Sequence, residues 1–320
     1  PLLVAKLLKA VCDQEQPVLL ETLNIPEPVI SVKLACEARG EVEKLHQALR
    51  RLGLEDPSFK VRVDDRTGET VVSGMGELHL EIIADRLKTE FGVAVKAGAP
   101  TVQYKETISA SCEHSYRHVK QTGGHGQYAH TVMRIEPNPG GGFEFVNSIV
   151  GGAVPAEYIS AVRKGVEDVL VKGVLADFQV VDIKVALVDG SSHAVDSSEM
   201  AFRMCASMCL KEAFAKASPR LLEPLMKVEI ATPDDYIGDL VGDLARRRGK
   251  VLAMRRYRKG SQKIEAEAPL MEMFGYATTV RSLSSGRANY SMELCGFTQL
   301  PAALQETVVA EARRRMAGEF

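Results

Sequence analysis

The chain has 320 residues, 45% hydrophobic and 26% charged, which excludes disordered, collagen-like and coiled-coil classes. Forty Lys and Arg against 42 Asp and Glu leave a net charge of −2, excluding a globally basic nucleic-acid coat but permitting a local basic patch. No run approaches ~18 apolar residues, so no membrane partner is expected, and six scattered cysteines without a CxxC pair read as reduced thiols of a cytoplasmic protein.

Residues 1–25 show no clear pattern, and a start at Pro1 rather than Met reads as a fragment. Pro26-Glu27-Pro28 marks a linker. From there 29–36 alternates as a half-buried strand, and 41–54 carries Val42, Leu45, Leu49 and Leu52 at helical spacing. A hairpin over 59–73 turns at Asp64–Gly68, and Leu78, Ile82, Ile83, Leu87 and Phe91 form a second helical stripe ended by Gly92. A short strand at 93–96 completes the order β-α-β-β-α-β over 26–103. The same order returns over 225–300: strand 226–231, helix 235–248 ended by Gly249, strands 250–257 and 263–268 about Lys259-Gly260, helix 271–283, strand 288–294. This plan is the split βαβ of the ferredoxin-like fold, so the expected class is α+β with two such sandwiches flanking a middle domain.

The middle domain, 104–224, reads as strands at 116–121 and 128–135 around the glycine-rich turn 122–126. A helix from Pro155 to Lys172, a strand at 180–188 and a polar loop over 189–195 follow. Asp196 with Glu199 resembles a capping box opening a helix over 197–216, so Asp196 reads first as a cap. Cys205 and Cys209 share a face of that helix with Met200, Met204 and Met208 nearby, which favours core packing over a metal site. A C-terminal helix is expected over 301–320.

Catalytic signatures are missing. The only Gly-Lys pair, Gly249-Lys250, has Leu244 where a phosphate loop needs Gly and Val251 where it needs a hydroxyl. No HExxH, GxSxG or paired Cys/His spacing occurs, so neither metal nor catalysis is expected of this chain alone. Recognition features are present. Arg246, Arg247, Arg248, Lys250, Arg255, Arg256, Arg258, Lys259 and Lys263 follow one another with no acidic residue between, which points to a polyanionic partner. The strands at 70–73 and 263–268 lack aromatics, so any RNA would be held by charge and shape rather than stacking. Glycines at 123, 124 and 126 allow close approach to a partner's backbone or form a plain turn, and His193 sits in a loop rather than on an apolar face.

Several blocks resemble one family in order along the chain. Glu27-Pro28-Val29-Ile30, Glu55–Phe59 and Gly74–Leu80 resemble the third domain of bacterial elongation factor G. Gly123–Tyr128, Gly151–Tyr158 and Val195–Glu199 are similar to its fourth domain. Leu222-Glu223-Pro224, Gly242–Gly249 and Met273–Thr278 are similar to its fifth. The resemblance implies an S5-like αβ fold for the middle domain and makes 1–25 the end of a preceding barrel domain. It implies the ribosome-binding part of a GTP-dependent translocase of tRNA and mRNA, with GTP and Mg held in an N-terminal domain and no cofactor here. Partners would be the ribosome (16S and 23S rRNA and ribosomal proteins), tRNA–mRNA and the chain's own GTPase domain, the protein acting as a monomer. Two tip loops, matching Gln121–Gln127 (with Gly123, Gly124, His125 and Gly126) and Gly190–Asp196, would reach the decoding centre. His193 matches the histidine that eukaryotic and archaeal relatives modify to diphthamide and bacterial ones leave plain. Arg246, Arg247, Arg248, Arg255, Arg256, Arg258 and Lys259 are expected to contact rRNA. Thr122 and His125 replace the family's Ser and Arg in the first tip loop, which leaves a recycling paralogue as an alternative. A ribosome-protection protein is the other, although its tips differ.

Overall fold

The computed structural model of the chain describes residues 28, 30–36, 40–56, 58–63, 70–98, 101–120 and 126–317. The expected barrel remnant, the 64–68 turn and the loop residues Gln121–His125 lie outside them. Two units result, one from the described residues up to Gln103 with Pro224–Gly296, the other from Tyr104–Glu223 with the chain from Phe297 onward.

In the first unit, β1 (Ile30–Cys36), α1 (Val42–Glu55), β2 (Lys60–Val63), β3 (Thr70–Gly74), α2 (Glu77–Phe91), β4 (Val95–Ala97) and β5 (Thr101–Val102) follow the expected order. The sheet order β2-β3-β1-β4, all antiparallel with β5 also on β1, is that of a ferredoxin-like sandwich. Ile30, Val32, Leu34 and Val72 alternate onto one face and bury against Leu45, Leu49 and Leu52. On α2 the buried set is Leu80, Ile83 and Leu87; Leu78 and Ile82, expected in the core, are exposed. Both sets have helical spacing, and the sheet's position decides between them. Gly92 ends α2 at φ 66°, a left-handed cap where glycine carries no Cβ penalty.

In the second unit, β6 (Lys105–Ile108), β7 (Cys112–Lys120), β8 (Gln127–Pro137), β9 (Phe143–Asn147), α3 (Ala156–Lys172), β10 (Ile183–Ser191) and α4 (Glu199–Lys216) come next. The sheet order is β7-β8-β10-β9, with only β9 and β10 parallel. One face carries Ala129, Met133, Ile135, Val185 and Leu187, covered by Val162, Val166, Phe202, Cys205, Cys209 and Phe214 of α3 and α4. Each fully buried Leu, Ile or Phe of such a core contributes about 1.5–3 kcal/mol. The helices cross tightly at Gly165, where a Cβ would stand 2.3 Å from the Arg203 carbonyl oxygen. Cys205 and Cys209 are core residues, but Met200, Met204 and Met208 are exposed on the outer side of α4.

The loop after α3 closes on Glu106, a fully buried residue of β6. Its carboxylate accepts N–H bonds from Val174 (2.7 Å), Leu175 and Ala176 (2.8 Å each) and Phe178 (3.1 Å). Four donors on one buried carboxylate offset its desolvation, which an unpartnered charge could not do.

The long strand β11 (Pro219–Pro233) starts against β6. Its later part belongs to the first unit, with α5 (Ile237–Arg246), β12 (Lys250–Arg258), β13 (Ser261–Pro269), α6 (Tyr276–Leu283) and β14 (Asn289–Gln299) as far as Gly296. The order β12-β13-β11-β14 repeats the ferredoxin-like pattern. Met226, Val228, Ile230, Ile264, Ala266 and Ala268 bury with Leu240, Leu244, Tyr276 and Val280. The helix expected over 271–283 is two pieces, a 3-10 turn at Leu270–Met273 and α6, parted where Gly275 takes φ 69°. Arg248, not Gly249, takes the left-handed position after α5, at φ 60°. In the second unit, α7 (Ala302–Ala317) is pinned to β11 by Gln305, whose side-chain oxygen accepts the Leu221 N–H. Among the described residues no helix is long and apolar enough to cross a membrane.

Candidate nucleic-acid interface

The second unit brings its recognition residues to one end of the sheet, where β7 stops, β8 starts and β10 stops. A bulge after Leu187 lets β10 run on through Asp189, Gly190 and Ser191, residues expected as loop, to pair with Val132, Thr131 and His130. Gly190 is required there, because a Cβ would lie 2.4 Å from the His130 carbonyl oxygen and 2.5 Å from a Val154 methyl.

Asp196 is not the helix cap. Ser198 is: its hydroxyl accepts the Ala201 N–H at 3.2 Å and α4 begins at Glu199. Two residues earlier, Asp196 is free to reach sideways. Its carboxylate accepts the Gly126 N–H (3.0 Å), and its carbonyl accepts the Tyr128 N–H (2.8 Å). Ser197 donates to the Tyr128 carbonyl and accepts the His193 N–H, both at 2.8 Å. Three of these bonds sew the 193–197 loop to the start of β8, and the fourth closes the loop on itself.

His193 is exposed within this frame. The N–H groups of Val195 (3.4 Å) and Asp196 (3.2 Å) point at its Nδ1, which also lies 3.2 Å from Asp196 Oδ2. The Gln127 side-chain oxygen accepts from His118 Nε2 at 3.0 Å. Of the predicted loop residues, Gly126, Gln127, His193 and Asp196 converge; Gln121, Gly123, Gly124 and His125 lie outside the described residues.

Next to this end, a polar row crosses the sheet on the face away from the helices. Ser115 of β7, His130 and Tyr128 of β8 and Ser191 of β10 form one chain. His130 Nε2 meets Ser115 Oγ at 2.9 Å, His130 Nδ1 meets Ser191 Oγ at 3.2 Å, and Ser191 Oγ meets Tyr128 OH at 2.8 Å. Burial, and then the Arg117 guanidinium, hold His130 below the ordinary histidine range, while Asp189 opposes them. The alternation Tyr128, His130, Val132 marks this face in the sequence, but nothing local joins it to Ser191.

The basic run of the first unit differs from its sequence expectation of nine cations without counter-charge. Arg247 is a structural residue: it pairs with Asp243 (2.8 Å), bonds the Glu272 carbonyl and Thr279 Oγ1, and lies over the Tyr276 ring at 5.0 Å. Arg248 pairs with Glu272 (3.7 Å), Arg255 with Glu265 (3.6 Å) and Lys263 with Glu229 (2.7 Å). The acids come from α5, β11, β13 and the 3-10 turn, which is why spacing along the run hid them. Arg246, Arg256, Arg258 and Lys259 remain exposed, with Arg258 lying over Tyr257 at 5.1 Å.

Gly126 leads into strand β8 rather than the helix a phosphate loop needs, and among the described residues no group of three His, Cys, Asp or Glu side chains could hold a metal ion.

Three consecutive family models match the chain: Elongation Factor G, domain III, over 25–99, Elongation factor G, domain IV, over 100–218, and Elongation factor G C-terminus over 220–308. Elongation factor G of Chlamydia caviae is 53% identical over 299 residues, which cover 93% of this chain and 43% of the relative. A crystal structure from Thermus thermophilus is similar with a TM-score of 0.74 at 36% identity, covering 92% of this chain and 44% of that one. The chain thus spans less than half the length of these two relatives.

Proposed function

Because the chain belongs to the elongation factor G family and carries its domain III, domain IV and C-terminal regions, we propose that it is the ribosome-binding, mechanical part of a translocation factor. In this reading the factor moves tRNA and mRNA at the expense of GTP held outside the matched regions. The observation that carries it is the tip: Asp196 and Ser197 fix the His193 loop to β8, so the imidazole is presented by a rigid frame while contributing nothing to the core. Such a frame suits a lever that transmits force to RNA. The exposed Arg246, Arg256, Arg258 and Lys259 give a second contact with rRNA phosphates, whose strength falls with salt. The 53% identical relative bears the elongation-factor name, which supports translocation over ribosome protection.

Purified chain should cosediment with ribosomes, compete with elongation factor G for them, and bind no GTP at micromolar levels. Ribosome binding that elongation factor G does not displace, or saturable GTP binding, would overturn this reading.

A further inference from the structure

The polar row beneath the tip has a property that the tip loops lack. Arg117 of β7, His130 of β8 and Ser191 of β10 are direct cross-strand neighbours on one line, and none of the three is fully buried. Arg117 forms no ion pair among the described residues. On the same face, Glu113 is committed to Arg134 (3.0 Å) and Lys184 to Glu144 (3.5 Å), so the charges beside His130 are the Arg117 guanidinium and the Asp189 carboxylate. The charged or titratable groups facing His130 are Arg117 on β7, Asp189 on β10 and Tyr128 on β8.

Both ring nitrogens of His130 end on hydroxyls, and a hydroxyl can donate or accept. A neutral ring has one bare nitrogen, so Ser115 or Ser191 must spend its single proton on that nitrogen. A protonated ring donates from both nitrogens, and the hydroxyl proton is released to a new acceptor. The switch takes one proton from water, breaks no heavy-atom bond and strands no polar group. An acceptor arriving over Arg117 would therefore find a cation, a newly freed O–H and a second positive charge in one row.

We propose that Arg117, His130, Ser115 and Ser191 form a phosphate site for the RNA backbone, in which His130 takes up a proton as the phosphodiester docks. This rests on the preceding reading that the second unit meets RNA, and extends the contact from the tip loops down the sheet. A guanidinium beside hydroxyls on a polar strand row suits a phosphate, not a base, with Asp189 the opposing charge at its edge.

The test is an NMR titration of the imidazoles in the full chain, alone, with a short single-stranded ribo-oligonucleotide, and with inorganic phosphate. RNA should raise the His130 midpoint by about one pH unit, equivalent to tenfold tighter binding of RNA to the protonated form. Arg117→Gln should abolish that shift. His130→Gln removes the titrating group, so it should lose the gain in RNA affinity that the parent shows between about pH 8 and about pH 6. RNA that binds without moving His130, or binds Arg117→Gln unchanged, overturns the proposal. A shift with inorganic phosphate and none with RNA assigns a free-anion site and also overturns it. If the parent chain binds no RNA at all, the preceding reading fails first, and this one falls with it; thermal melts of each variant exclude a folding defect.

Discussion

At the tip, four hydrogen bonds from a five-residue loop hold one exposed imidazole; in the basic run, nine cations stand in sequence and several of them are spent inside the fold. The tip uses short side chains and backbone groups to order a loop that has no core of its own. The run spends Arg247 and Arg248 on its own fold, while Arg255 is paired yet still exposed, and Arg246, Arg256, Arg258 and Lys259 face outward. A dense charge pattern thus overstates the charge left free for a partner.

The largest expected effect lies in the second unit at the other end of the sheet from the tip, where Glu106 holds the loop after α3. Glu106→Gln removes the charge and turns one acceptor oxygen into a donor facing N–H groups, so it should destabilise the second unit by about 3–5 kcal/mol in urea denaturation. A loss under about 1 kcal/mol would mean the 174–178 loop holds itself.

Next comes the contrast inside the basic run. Arg247→Ala should cost about 2–3 kcal/mol, because Asp243 and the Glu272 carbonyl lose their partner. Arg256→Ala with Arg258→Ala should leave stability nearly unchanged while weakening ribosome binding and flattening its salt dependence. The reverse pattern would exchange the structural and binding roles assigned here.

A smaller effect follows from His130. Its folded value lies below the unfolded one, so the unfolded state binds more protons and stability rises with pH in that interval. The stabilising contribution is complete above the ordinary histidine value near ~6.5 and is lost as pH falls through the depressed folded value. His130→Gln should flatten this dependence; an unchanged pH–stability curve would place the titrating group elsewhere.

Much of this was legible in the sequence where local pattern and tertiary demand agree. Alternation at Ile30, Val32 and Leu34 and the glycine at 92 located strand and cap, and two βαββαβ orders implied the sheet topologies. Legibility failed where a choice depends on distant residues. Leu78 and Ile82 have the spacing of a core face, and Met200, Met204 and Met208 that of a buried stripe, yet each faces solvent because the sheet lies against the other side. Asp196 has the sequence of a cap, but Ser198, nearer the first turn, takes that role and frees it to bridge to Gly126. The counter-charges of the basic run come from other elements, so no reading of the run alone could find them.

In the proposed role His193 acts on RNA and not on the fold. His193→Ala should change stability by no more than about 0.5 kcal/mol, the smallest effect expected here. The direct measurement places the same substitution in a full-length elongation factor G carrying this domain and follows tRNA movement and GTP hydrolysis on one ribosome preparation. Movement should slow about tenfold while hydrolysis keeps its rate. Equal loss of both rates, or a mutant domain that unfolds, would contradict it.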